Sequence, residues 1–224
     1  MMKAEPNATI RPNRRIAARA LLRVAGLVLA SAAVGLTGAW AQTPSGANAA
    51  PAAPTGAAPV TVRLETTAGP IVLELDMQHA PHTVANFVQY VKDGFYTGTI
   101  FHRVISGFMI QGGGFNENQQ EKPTRAPIAI ESNNTLKNVR GTIAMARTSD
   151  PNSATAQFFI NVVDNGMLDY PGRDGYGYTV FGRVVDGMDT VDKIRAIPTI
   201  SSGTMFANLP QTAVVIQKAQ IVSK

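Results

Sequence analysis

The chain has no cysteine among its 224 residues, which excludes disulfides, thiolate metal sites, a cysteine nucleophile and lipid attachment at a cysteine. Stability must come from packing. Histidine is scarce too, at three residues. His79 and His82 lie three apart with no further ligand at a recognisable spacing, so no metal site is expected from them, and they read as exposed residues at a helix start. His102 has no Gly-x-Ser-x-Gly elbow to serve as a base and reads as a hydrogen-bonded structural histidine. The run "IQGGGF" (110–115) lacks a following Gly-Lys-Ser/Thr and is therefore no phosphate loop; its glycines read as a bulge or a close backbone approach. Nothing here calls for a cofactor or a metal.

An excess of one charge is also missing once the N-terminus is set aside. Residues 1–41 hold six of the 20 Lys/Arg and one of the 15 Asp/Glu, which leaves 14 of each sign in residues 42–224. A formally neutral domain has no basic patch to neutralise phosphates, so nucleic acid is not an expected partner.

What is present begins with Arg11, Arg14, Arg15, Arg19 and Arg23, an uncharged run from Val24 to Gly38, and Ala39-Trp40-Ala41. This is the three-part pattern of a cleavable signal peptide spanning 1–41, with an apolar run short of the roughly 18 residues a transmembrane helix needs. No stable membrane insertion is expected after cleavage. Residues 42–59, "QTPSGANAAPAAPTGAAP", have little to offset the cost of ordering and read as a linker. Residues 60–224 are enough for one well-cored domain.

Within that domain, Val60, Val62 and Leu64, then Ile71, Leu73 and Leu75, alternate around a Thr-Ala-Gly-Pro turn, the pattern of a β-hairpin. "APHTVANFVQYVKDG" places Val84, Phe87, Val88 and Val91 at helical spacing between Pro81 and Gly94. Short β-rich runs follow at 99–105, 108–112, 128–131, 141–146, 157–162 and 179–185. A second helix is expected near 187–196 and a last strand at 213–222. About eight strands with short connections and two isolated helices point to a mainly β fold, a closed eight-stranded antiparallel barrel capped by two α-helices.

"FHRVISGFMIQGGGF" (101–115) sets Arg103 among Phe101, Phe108, Met109 and Phe115. By strand alternation Met109 and Gln111 share one face while Ile110 takes the other; Gln157 and Phe159 likewise share a face opposite Phe158 and Ile160. Two neighbouring strands would thus present an apolar platform with a few polar donors. Each motif alone is also compatible with ordinary core residues.

Taken together with "GTIAMAR" (141–147), "SATAQFFIN" (153–161), Leu168-Asp169 and "VFGRVVDGMDTVDKI" (180–194), the domain resembles the cyclophilin-type peptidyl-prolyl cis/trans isomerases, and most of all their exported bacterial members. The resemblance implies the barrel fold and no cofactor. It implies Arg103 as the catalytic arginine with Gln111 supporting it, and Phe108, Met109, Phe159 and Leu168 as a proline pocket. Ala146, Arg147 and Gln157 would line the groove for residues before the proline, with Met167 and Tyr178 completing the substrate-binding set. Eukaryotic members often carry tryptophan where Met167 stands and histidine where Tyr178 stands. Implied partners are unfolded or proline-containing polypeptides met by a monomer in the periplasm. A second reading keeps the groove and drops catalysis, giving a proline-peptide-binding chaperone module; retention of Arg103 speaks against it, because binding alone does not demand the arginine.

Overall fold

A computed structural model describes residues 59–203 and 206–222. The expected signal peptide and almost all of the expected linker lie outside the described residues. Strands β1 (Val60–Thr66) and β2 (Gly69–Leu75) form the predicted hairpin, with Val62, Leu64, Ile71, Leu73 and Leu75 all inside. Helix α1 (Pro81–Lys92) follows. Then come β3 (Thr99–Ile105), β4 (Met109–Asn116), β5 (Thr142–Met145), β6 (Phe158–Asn161), a 3-10 turn at Gly166–Leu168, β7 (Val180–Asp186), α2 (Met188–Arg195), β8 (Thr199–Ser202), β9 (Phe206–Pro210) and β10 (Val215–Val222).

Eight of these strands close into a barrel in the order β1-β10-β3-β4-β6-β5-β7-β2, every adjacent pair antiparallel. Alternation sends one side chain in two into a core that includes Phe101, Ile110, Ile143, Phe158, Ile160, Phe181 and Ile216. Because β2 and β7 run antiparallel, the helices that follow them, α1 and α2, sit at opposite ends of the barrel. Phe87 of α1 plugs one end, its ring 5.6 Å from Phe158 and 5.2 Å from Phe181. Val191 and Ile194 of α2 close the other. Among the described residues no helix is long and apolar enough to cross a membrane.

One expectation needs correction, and one element comes in addition. Residues 128–131 form no strand, only a single bridge from Ile128 to Ala154. Two of their backbone donors are taken by side chains instead: Ile130 N–H donates to Asn152 Oδ1 at 3.0 Å and Glu131 N–H to Thr179 Oγ1 at 3.1 Å. Glu131 in turn accepts from the His82 and Thr83 backbone N–H groups at 3.1 and 2.8 Å, so it caps α1 from a distant part of the chain, at a helix start whose own Ala80 offers no side-chain cap. Conversely, β8 and β9 pair as a hairpin outside the barrel, between the expected helix near 187–196 and the expected strand at 213–222, where no element is predicted from the sequence.

Candidate active site

The outward-facing residues of four consecutive barrel strands make a second, smaller apolar cluster. Met109 of β4, Phe159 of β6, Ala144 of β5 and Val180 of β7 are its buried floor, and Ile105, Phe108, Leu136, Ala146, Leu168 and Tyr178 pack around them. The expected division of faces holds, because Ile110, Phe158 and Ile160 belong to the interior core while Met109 and Phe159 belong to this outer cluster. The result is a shallow apolar groove on the barrel wall.

One border of the groove is polar. Arg103 and Gln111 are register partners on β3 and β4, and Gln111 is the register partner of Phe159 on β6. Arg103 Nη1 donates to Gln111 Oε1 at 3.3 Å, and Gln111 Nε2 donates to Gln157 Oε1 at 3.1 Å. Three side chains expected at the site thus form one chain of hydrogen bonds, with the partly exposed guanidinium at its end. Alongside, Ala146 N–H donates to the Gln157 carbonyl at 3.0 Å, which ties the strand after β5 to the one entering β6.

The structure treats the remaining predicted residues unequally. Tyr178 stands edge-on to Phe159, ring centroids 5.7 Å apart. Met167, half exposed on the 3-10 turn, lies outside the packed cluster. The Arg147 side chain is turned away from the groove's open surface and is only 3 % exposed. Its guanidinium lies 4.4 Å from the centre of the Tyr178 ring, donates through Nε to the Gly177 carbonyl at 3.1 Å and is ion-paired with Asp174. That hydrogen-bonded pairing, with backbone N–H groups of Gly177 and Tyr176, holds the Asp174 carboxyl well below the usual carboxylate range. The side chain of Arg147 therefore braces the loop that carries Tyr178, and what it leaves toward the groove is main chain.

A buried polar network behind the groove escaped sequence reasoning. Asn165 Nδ2 donates to the Phe108 carbonyl at 2.8 Å and to Asn161 Oδ1 at 2.7 Å. Asn161 Nδ2 reaches Thr142 Oγ1 at 2.9 Å, and Asp169 Oδ1 accepts the Asn138 backbone N–H at 2.7 Å. These bonds anchor the turns bearing Phe108 and Leu168; the only sequence signal was asparagine placed at a strand end and in a loop, which is common. His102 is buried; its Nδ1 has no side-chain or backbone partner, while a backbone hydrogen bond with Ile100 acts to favour its charged form. Burial, helped by the charge of Arg103, pushes its pKa down to about 4.

A cavity of about 590 Å3 opens elsewhere, beside Pro59 and over β2, β5 and β7, and shares only Leu136 and Val180 with the groove. It contains neither Arg103 nor Phe159. The cavity and the groove are thus separate features of the barrel surface.

Known proteins point the same way. The family model for cyclophilin-type peptidyl-prolyl cis-trans isomerases matches residues 61–221. Peptidyl-prolyl cis-trans isomerase B of Escherichia coli (strain K12) is 54% identical over 162 residues, covering 71% of this chain and 98% of its own. The peptidyl-prolyl cis-trans isomerase cyp18 of Streptomyces antibioticus is 56% identical over 164 residues, covering 72% and 98%. A crystal structure of a Cryptosporidium parvum cyclophilin type isomerase, obtained in the presence of the dipeptide Ala-Pro, superposes with a TM-score of 0.61 at 28% identity, covering 73% of this chain and 99% of that one. Barrel topology, a groove on its wall and matches over nearly the whole described domain converge: the chain belongs to the cyclophilin-type peptidyl-prolyl cis-trans isomerase family and is an enzyme of that activity.

Proposed function

We propose that Arg103 is the catalytic donor of this isomerase and that the Met109–Phe159 floor, walled by Phe108 and Leu168, grips the proline ring. The observation that carries the reading is the guanidinium hydrogen-bonded to Gln111 at the border of that floor. An X–Pro bond rotates slowly because amide resonance imposes a barrier of roughly 18–20 kcal/mol, while its two isomers differ by only about 0.5–1 kcal/mol. Only the barrier has to change.

In the planar ground state the prolyl nitrogen shares its lone pair with the carbonyl and accepts hydrogen bonds poorly. Twisted near ninety degrees, the lone pair is localised and accepts well. A fixed cationic donor aimed at that nitrogen stabilises the twisted form selectively, and selectivity is what accelerates a reaction. Arginine suits the task because its charge is permanent and its planar fork can bond Gln111 and the substrate together. The apolar floor holds the ring side while the acyl side turns, and its dryness strengthens the interaction with the guanidinium. No proton transfer or covalent intermediate is needed. Ala146, Gln157 and the Arg147 main chain supply the wall for residues preceding the proline, and Met167 and Tyr178 stand at the far side.

In a protease-coupled isomerisation assay on a Pro-containing tetrapeptide, Arg103→Ala is expected to lose roughly 10²–10³ in turnover, the usual cost of removing one preorganised donor, with an unchanged circular dichroism spectrum. Near-normal kcat/KM would refute the assignment of Arg103 as the catalytic donor.

The substrates we infer are proline-containing segments of unfolded exported polypeptides, met in the periplasm by a monomeric enzyme. Support comes from the arginine-rich, apolar and small-residue succession of residues 1–41, with 42–59 as linker to the domain beginning at 60. N-terminal sequencing of the protein recovered from the cell envelope should begin at Gln42; a start at Met1 or Met2 would overturn the export reading.

A further inference from the structure

Arg103 owes its direction to a backbone irregularity more than to its own contacts. In the β3–β4 ladder Phe101 faces Gly112 and Arg103 faces Gln111, so two steps along β3 match one along β4. His102 is the surplus residue of a β-bulge, a device that re-aims the side chains beside it. Phe101 and Val104 both enter the barrel interior, and the two residues between them both leave by the outer surface. There they part. Arg103 turns to Gln111 and the groove, while His102 turns to Phe115 and Phe206.

The His102 side is densely packed. Its ring lies 4.7 Å from Phe115 and 6.3 Å from Phe206, and those two are 5.2 Å apart, each pair close to edge-to-face. Phe206 and Leu209 belong to β9, and they join Ile100 and Phe115 in a cluster distinct from both the barrel core and the groove. Nδ1 of His102 is buried without a partner, so aromatic packing holds this nitrogen's side of the ring without a hydrogen bond. Arg103, a long side chain with much rotamer freedom to lose, makes a single side-chain hydrogen bond among the described residues, at 3.3 Å. That bond is too little to fix it unaided.

We infer that the β8–β9 hairpin positions Arg103: Phe206 and Phe115 grip the ring of the bulge residue His102, and the locked bulge aims the next side chain into the groove. His102, Phe115 and Phe206 are positioning residues that touch no substrate. The inference rests on Arg103 being the catalytic donor, as proposed above. It separates turnover from binding, because the floor that takes the proline is a different cluster.

The test is a double-mutant cycle of Phe206→Ala and Arg103→Ala, with kcat and KM measured separately on the tetrapeptide. Phe206→Ala is expected to lower kcat about tenfold with KM nearly constant, since a misplacement of about 1 Å can cost up to ~10²-fold. In the Arg103→Ala background the same substitution should change kcat less than about twofold, because the side chain it would misdirect is gone; coupled residues behave in this way and independent ones add. Unchanged kcat in Phe206→Ala, a loss confined to KM, or additive losses in the double variant would overturn the inference while leaving the role of Arg103 intact. Near-normal kcat in Arg103→Ala would instead sink the catalytic assignment itself, and the inference with it. Where Phe206→Ala does not fold, His102→Ala empties the same contact from the β3 side and carries the identical cycle.

Discussion

Two adjacent glycines in β4 stand against different neighbours, and the difference separates the barrel core from the glutamine chain beside Arg103. Gly113 has φ of +84°, and a β-carbon there would lie 2.8 Å from the Phe158 ring and 2.9 Å from that of Tyr96, both in the barrel core. Gly114 has no such backbone demand, but its β-carbon would lie 2.5 Å from Cγ of Gln157, the side chain that anchors Gln111. Gly113→Ala should therefore destabilise by about 2–5 kcal/mol, from left-handed strain plus overpacking, read as an earlier urea midpoint. Gly114→Ala should leave that midpoint almost in place, because a flexible side chain can yield, yet lower kcat/KM by about tenfold as the Gln157–Gln111–Arg103 chain shifts. Equal stability losses in the two variants would show that the glutamine chain is not what Gly114 protects. The reading of these glycines as close-approach positions was available from "GGG" alone; which neighbour each one clears for was not, since those neighbours come from β6 and from the turn after α1.

At the scale of elements, what could be read from the chain was whatever announces itself locally. The β1–β2 hairpin alternates strictly, α1 has its proline at the start and its glycine past the end, and both appear with nearly the expected bounds. Segment 128–131 has apolar alternation, but Pro123 and Pro127 nearby break any ladder, and the decisive partners, Asn152 and Thr179, lie 22 and 48 residues away from the backbone groups they satisfy. The β8–β9 hairpin shows the opposite failure. "TISSGTMFANLP" (199–210) mixes polar and apolar residues without a clean period of two, and the hairpin, lying on the outside of the barrel, buries only Phe206, Leu209 and Pro210 among its described residues. Periodicity detects elements that contribute a whole face to a core; it passes over one that contributes two or three anchors. The same limit explains why the groove floor was legible, being two alternating strands, whereas the aim of Arg103 was not, being set by a bulge whose extra residue shows only once the β3–β4 register is known.

For the whole molecule, the barrel interior is packed with side chains, and on its outer wall side chains of β3 face the groove on one hand and a hairpin on the other. On the role proposed for Arg103, one residue links the aim of that side chain to global stability. His102 is 4 % exposed, and burial lowers its pKa from 6.5 to about 4, with the charge of Arg103 acting in the same direction. The groups packed beside it from β4 and β9 are the uncharged rings of Phe115 and Phe206. Because the folded pKa is depressed, the unfolded chain takes up this proton first on acidification. The stabilisation is complete above about pH 6.5 and drains away as pH falls toward 4, at up to ~1.4 kcal/mol per pH unit and about 3 kcal/mol in total. Carboxyls held low in the folded protein, Asp76, Asp174, Asp189 and Asp192, add their own losses mainly below the ordinary carboxylate range, so the interval above pH 4 carries the mark of His102. Urea denaturation of the wild type at pH 7.0, 6.0, 5.0 and 4.5 should show that decline. His102→Phe, which keeps a ring among Phe115 and Phe206 and has nothing to protonate, should be flatter over the same interval by about the amount stated. Parallel pH profiles for the two proteins would mean that His102 gains its proton as readily in the folded protein as in the unfolded chain, and that the ring cluster is open to water.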